Sequence, residues 1–123
     1  MTTLATSIHR PAASTAALWA AQILAAAMFL TAGTLKLTGH PAEVQMFAAI
    51  GVGQWFRYLT GSIEVVSAVL LFVPSLSFFA ALALAATMVG ALATHVFIIG
   101  GNPVPALVLL VATAAIAFAR RPR

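Results

Sequence analysis

Apolar residues run along this chain in long blocks, and short polar stretches separate them. A membrane span takes about 20 mostly apolar residues, at 1.5 Å of helical rise each, to cross roughly 30 Å of hydrocarbon. Four blocks are candidates: about 16–37, 56–73, 77–99 and 104–119. The first follows a polar stretch, 1–15, that holds His9 and Arg10. It is longer than the roughly 7–15-residue apolar region of a cleaved signal peptide, although Ala25 and Ala27 could mimic a cleavage site. The second block stops at Pro74 and Ser75, and the third at Gly100-Gly101-Asn102-Pro103, a strong turn signal. The fourth is the shortest and stops abruptly at Arg120-Arg121-Pro122-Arg123.

Between the first two blocks lies a different pattern. Pro41 can open a short helix, because the amide hydrogen it lacks would be unpaired at the first helical position. Val44, Phe47 and Ile50 then recur at threes, with Glu43 and Gln45 off that stripe. The pattern predicts a short helix lying at the membrane interface. Gly51 and Gly53 let the chain turn back after it. The expected fold is therefore all-α: an integral membrane four-helix bundle with a short interfacial helix between the first two spans.

Composition agrees with lipid as the solvent. Of 123 residues, 63% are hydrophobic and 7% charged, against about a quarter charged in a soluble domain. A water-soluble globule of this size could not hide so much apolar surface. The net charge of +4 does not point to nucleic acid, since no basic face with interleaved aromatics is present. Arg120, Arg121 and Arg123 close the chain instead, and Arg10 stands before the first span. Against these four, the opposite side has Lys36 and Arg57. The positive-inside rule then places both termini in the cytoplasm and the chain in the cell membrane. Trp19 near one interface, and Trp55 with Tyr58 near the other, sit where aromatic belts belong.

Candidate chemistry is sparse. The chain has no cysteine, which excludes disulfides, thiolate metal sites and thiol exchange within it. His9, His40 and His95 lack the paired, facing arrangement of bundle cofactor sites, so no metal or haem site is expected. No GxSxG and no phosphate-cradling loop occurs, and Glu43 and Glu64 are read as belonging to different environments. Glu64 is the most informative residue. It lies eight positions past Phe56, roughly 12 Å into its helix at the standard rise. A charge at that depth costs about 2.5–3.5 kcal/mol on insertion scales and calls for a partner inside the bundle. The helical face it shares with Arg57, Thr60, Gly61, Ser67, Ala68 and Leu71 is small and polar. Ile63, Val66, Val69 and Leu70 form the opposite, lipid-facing set.

Lys36, Arg57, Glu64 and His95 thus fall in the outer half of the bundle and predict a polar, outward-biased ligand pocket. Three readings stay open. A Lys36–Glu64 or Arg57–Glu64 pair could only lock helices, the group could handle a ligand or protons, or Glu64 could stand protonated and alone. Gly33, Gly61, Ser67 and Gly90, with the Ala17-Ala21-Ala25 and Ala86-Gly90-Thr94 stripes, read as close-packing positions. Met28, Met46 and Met88 read as gap fillers.

Ala32-Gly33-Thr34-Leu35-Lys36-Leu37, the loop from Gly51 to Trp55, Gly61-Ser62-Ile63-Glu64 running on to Pro74, and Met88-Val89-Gly90-Ala91 with Thr94-His95 stand in order along the chain. Together, over roughly Leu24 to Ala119, they resemble the DoxX-like family of small four-helix membrane proteins. Ser67 stands where that family often has glycine. The resemblance implies association with membrane redox complexes, since relatives are linked to a thiosulfate:quinone oxidoreductase. A redox-associated subunit that binds a quinone or other apolar small molecule is one expectation, with Glu64 and His95 handling protons. A non-catalytic assembly or partner-binding subunit is the other. A membrane redox partner or a homo-oligomer is expected with either, and solute transport is the weaker third.

Overall fold

The computed structural model describes residues 12–122, so His9, Arg10 and most of the expected N-terminal tail lie outside the described residues, as does Arg123. All regular structure among the described residues is helical: α1 (Ala12–Thr38), α2 (Pro41–Ile50), α3 (Gln54–Leu70), α4 (Ser77–Thr94) and α5 (Val104–Arg120). At its C-terminal end α4 widens into one π-type turn, His95–Ile99, without a break. Two stretches, Ser14–Thr38 and Ser77–Ile99, are long and apolar enough to cross a membrane. α3 and α5 have 17 residues each. The second block expected to reach residue 73 stops being helical at Leu70, where the chain turns through Pro74 into α4. The first helix begins at Ala12, inside the stretch expected to be a tail.

The short second helix is built by its ends. The His40 side chain accepts a hydrogen bond from the Ala42 amide at 3.3 Å, and Pro41 occupies the first turn. Gly51, with φ of 84°, closes the helix in the left-handed conformation that glycine adopts at no steric cost. Gln54 Nε2 donates to the Val44 carbonyl at 3.0 Å, and the Phe47 and Phe56 rings meet edge to face with centroids 5.8 Å apart. The helix is therefore tied to the start of α3. It also packs on the π-type turn that ends α4.

Contacts between the longer helices run α1 to α3, α3 to α4, α4 to α5 and back from α5 to α1, with the α1–α3 and α4–α5 seams the most extensive. Alanines fill much of the core with Phe29, Leu71, Leu84 and Ile116. α3 buries Arg57, Gly61, Glu64, Ser67 and Ala68, while Val66 and Val69 on its other side are exposed. Large apolar side chains cover the outside of every helix but α2, as expected when the surroundings are lipid rather than water.

The α1–α3 seam is set by two glycines. A Cβ at Gly33 would stand 2.8 Å from the Gly61 carbonyl oxygen and 2.7 Å from a Val65 methyl. A Cβ at Gly61 would stand 3.0 Å from the Gly33 carbonyl oxygen and 2.9 Å from Lys36 Cβ. Each glycine is thus the space the other helix occupies. Ser67 is buried on the same side of α3. Gly90 behaves differently from the close-packing expectation. A Cβ there would meet nothing within 4 Å, because no neighbouring helix comes near it.

These glycines give an ordered expectation for thermal unfolding in detergent. Gly33→Ala and Gly61→Ala should lower stability by about 1–3 kcal/mol, the range for overpacking a filled site. Gly90→Ala should be neutral or stabilising by up to about 1 kcal/mol, the helix-propensity gain alone. Equal losses at all three positions would contradict the packing described.

Candidate functional site

Lys36 and Glu64 each lie three residues beyond the glycine of their own helix at the α1–α3 contact. The helices run antiparallel: Arg57 meets the Lys36 region, Gly61 meets Gly33, and Leu71 meets Gln22. Helical side chains lean toward their own N-terminus, so in this arrangement the two lean toward each other. Lys36 Nζ reaches Glu64 Oε1 at 3.0 Å, and Glu64 is 2% exposed. Of the two ion pairs open to Glu64 from the sequence, the lysine forms it.

A second carboxylate joins them. Lys36 Nζ also lies 3.5 Å from Glu43 Oε1. The reading that Glu43 and Glu64 occupy different environments is therefore corrected: one ammonium sits between both. Glu43 is four residues before Phe47, the buried residue of α2, so the two share a helical face. That spacing was legible in the sequence. The threefold Val44-Phe47-Ile50 stripe runs beside it and leaves Glu43 off its own line.

Arg57 is buried but does not line the cavity described below. Its Nε donates to Gln54 Oε1 at 2.7 Å, its Nη1 donates to the Lys36 carbonyl, and its guanidinium stacks over Tyr58, 4.3 Å from the ring centre. The same carbonyl accepts from the Gly39 amide at 3.3 Å, and a cation on a carbonyl of a helix's last turn adds a second, charge-assisted donor there. Arg57 thus caps α1 at the residue that carries the ammonium.

A cavity of about 720 Å³ opens beside the three charged groups. All five helices contribute to it: Phe29 and Lys36 from α1, Glu43 and Phe47 from α2, Glu64 from α3, with α4 and the edge of α5 completing the wall. Its lining is mainly apolar, with Met46 and Met88 among the fillers. His95 stands on the wall, where the π-type turn begins, and its Nδ1 lies 2.8 Å from the Gly100 carbonyl oxygen. That carbonyl can only accept, so the proton of a neutral ring sits on Nδ1 and Nε2 carries a lone pair. Lys36, Glu64 and His95 thus share one cavity and Arg57 stands behind it. Ala86, Gly90 and Thr94, read from the sequence as a packing stripe, form part of the same wall.

A separate polar contact ties the far ends of the helices. Gln22, 1% exposed, donates through Nε2 to the Leu71 carbonyl at 2.8 Å and accepts through Oε1 from Arg120 Nε at 2.7 Å. The Arg120 guanidinium lies over Trp19, 4.9 Å from its ring centre. Arg120, expected in the basic tail, is the last residue of α5 and holds three helices together.

Helices covered in apolar side chains, with a buried ion cluster beside a largely apolar cavity, define a small helical membrane protein. Residues 20–119 match the DoxX-like family, and the chain belongs to it. No curated protein and no solved structure is significantly similar to the chain.

The cluster predicts an asymmetric response to substitution. Lys36→Met leaves two carboxylates facing each other without a cation, and breaking a buried pair in this way costs about 3–5 kcal/mol. Glu43→Gln, at the half-buried end, should cost clearly less. Combining Lys36→Met with Glu64→Leu removes the pair as a unit and should recover most of the loss. Thermal unfolding in detergent, read as a double-mutant cycle, checks the order.

Proposed function

We propose that this DoxX-like protein crosses the cell membrane four times, with both termini in the cytoplasm, and that its outward-biased cavity binds an apolar small molecule with a polar head. A quinone is the ligand class that fits best, and a redox-associated subunit is the role. The observation carrying this reading is the cavity itself, an apolar space of about 720 Å³ with all its charge gathered at Lys36, Glu43 and Glu64. Ligand pockets are typically apolar, with a few placed polar groups that fix orientation. The Lys36 ammonium can donate to a ring oxygen, while Glu64, Glu43 and His95 Nε2 can accept from one. A quinone carries electrons and protons together, and a membrane redox partner is the source of the electrons in this reading. Glu64 and His95 are the groups placed to hold or release a proton at the cavity wall.

The four spans rest on the four longer helices, two of them long enough by themselves and two of 17 residues. A 17-residue helix stands at the short end of the spanning range. The orientation rests on the arginines of the C-terminus and Arg10.

A second reading has its own support. The Gly33–Gly61 contact would hold Lys36 against Glu64 with no ligand present, so the cluster could serve only to lock α1 on α3 within an assembly or partner-binding subunit. Ligand binding separates the two. For the protein in lipid nanodiscs, Lys36→Met should weaken binding of a short-chain quinone at least tenfold, and His95→Ala should weaken it measurably while leaving the melting temperature unchanged. Unaltered binding in both, with stability lost only in the first, would favour the lock.

The chain lacks cysteine, so single introduced thiols report topology cleanly. Val52→Cys, in the exposed turn between α2 and α3, should react with an impermeant maleimide in intact cells. Pro122→Cys should react only after permeabilisation.

A further inference from the structure

The polar groups on the cavity wall have a chemical bias. Thr60, Thr87, Thr94 and His95 all line it. Each already has its proton committed to the backbone. Thr60 donates to the Phe56 carbonyl at 2.8 Å, Thr87 to Ala83 at 2.8 Å, and Thr94 to Gly90 at 2.8 Å. His95 donates through Nδ1 to Gly100. A hydroxyl that donates inward still offers its lone pairs, and a neutral imidazole protonated at Nδ1 offers Nε2. Toward the cavity these four residues are therefore acceptors. The carboxylates add more. Glu43 Oε1 and Glu64 Oε1 are both buried, Glu64 Oε1 takes the Lys36 ammonium at 3.0 Å and Glu43 Oε1 lies 3.5 Å from it, and no other side chain donates to either oxygen. Among the described lining residues, the ammonium is the one side-chain donor left, and two carboxylates already share it.

We infer that the cavity selects a ligand whose polar head donates hydrogen bonds: the hydroquinone in preference to the quinone, and more generally a phenol in preference to its ether. A ring carbonyl would have to compete with two carboxylates for Lys36 and would leave the wall's acceptors unpaired, which is costly for buried polar groups. A ring hydroxyl supplies the donor that Glu64, Glu43 or Nε2 of His95 can take. The selectivity rests on the cavity proposed above, but it concerns the direction of the hydrogen bonds and not the redox role.

Binding to the full chain in lipid nanodiscs tests it with four probes: a short-chain alkyl benzoquinone, the corresponding hydroquinone kept reduced, a 4-alkylphenol, and that phenol's methyl ether. The hydroquinone should bind at least tenfold tighter than the quinone, and the phenol at least tenfold tighter than the ether. Quinone binding equal to or tighter than hydroquinone binding overturns the inference and leaves the quinone reading standing. Phenol binding over ether, with neither quinone form bound, keeps the donor preference and removes the quinone reading. If none of the four binds, both fall. Glu43→Gln places an amide donor on the wall and should narrow the phenol-to-ether ratio at least threefold. A ratio that does not move in a folded Glu43→Gln protein also counts against the inference. The melting temperature of that variant verifies the fold, and a purely structural Glu43 would alter stability without altering the ratio.

Discussion

The approach of Gly33 to Gly61 is the constraint on which the site depends. Two backbones come so close there that each excludes a side chain from the other, and three residues further along each helix stand the groups of the buried ion pair. Antiparallel helices lean these side chains toward each other, so the close approach and the ion pair form one arrangement. Without the glycines the seam would widen by the thickness of a side chain, and the lysine would lose its reach to Glu64. Arg57 strengthens the same corner by holding the carbonyl of Lys36 itself.

α2 then converts a helix lock into a wall. A pair made only by α1 and α3 would be neutral and closed. The second carboxylate arrives on a separate short helix, whose position is fixed by the Gln54–Val44 hydrogen bond, the Phe47–Phe56 contact and its packing on the end of α4. Lys36 consequently serves two acids at different distances, 3.0 Å and 3.5 Å. A formally uneven cluster at the edge of a space is a poor device for rigidity alone, since an unbalanced buried charge is costly. The same unevenness suits the ligand recognition proposed above, because it leaves acceptor capacity facing inward.

Much of this was legible in the sequence, for identifiable reasons. Helices are local, so the apolar blocks located them to within a few residues, and Pro41 with Gly51 marked the ends of α2. Glu64 was marked by its depth in an apolar helix, and Lys36 by its place at the end of the first block. Glu43 was missed because an acidic residue on an interfacial helix has a ready default in water. The i, i+4 relation to Phe47 carried the opposite message. The Gln22–Arg120–Leu71 contact joins residues 98 and 49 positions apart, and no spacing rule reaches that far. Gly90 shows a real ambiguity: small residues at fours serve equally to admit a neighbouring helix or to hollow out a wall, and only the placement of α3 relative to α4 separates the two.

The exposed position of Leu59, Ala86 and Gly90 on the cavity wall has a consequence for how occupancy is set. A cavity that reaches the outer face of the helices between α3 and α4 exchanges its contents with the hydrocarbon phase. For a ligand of the kind proposed above, occupancy is then governed by its mole fraction among the surrounding lipids, not by its concentration in water. Acyl chains are the standing competitors for the apolar part of the space, as they can fill it but have nothing to offer the charged end. Under the ligand binding proposed above, two membranes with equal total ligand but different lipid content would load this protein to different extents.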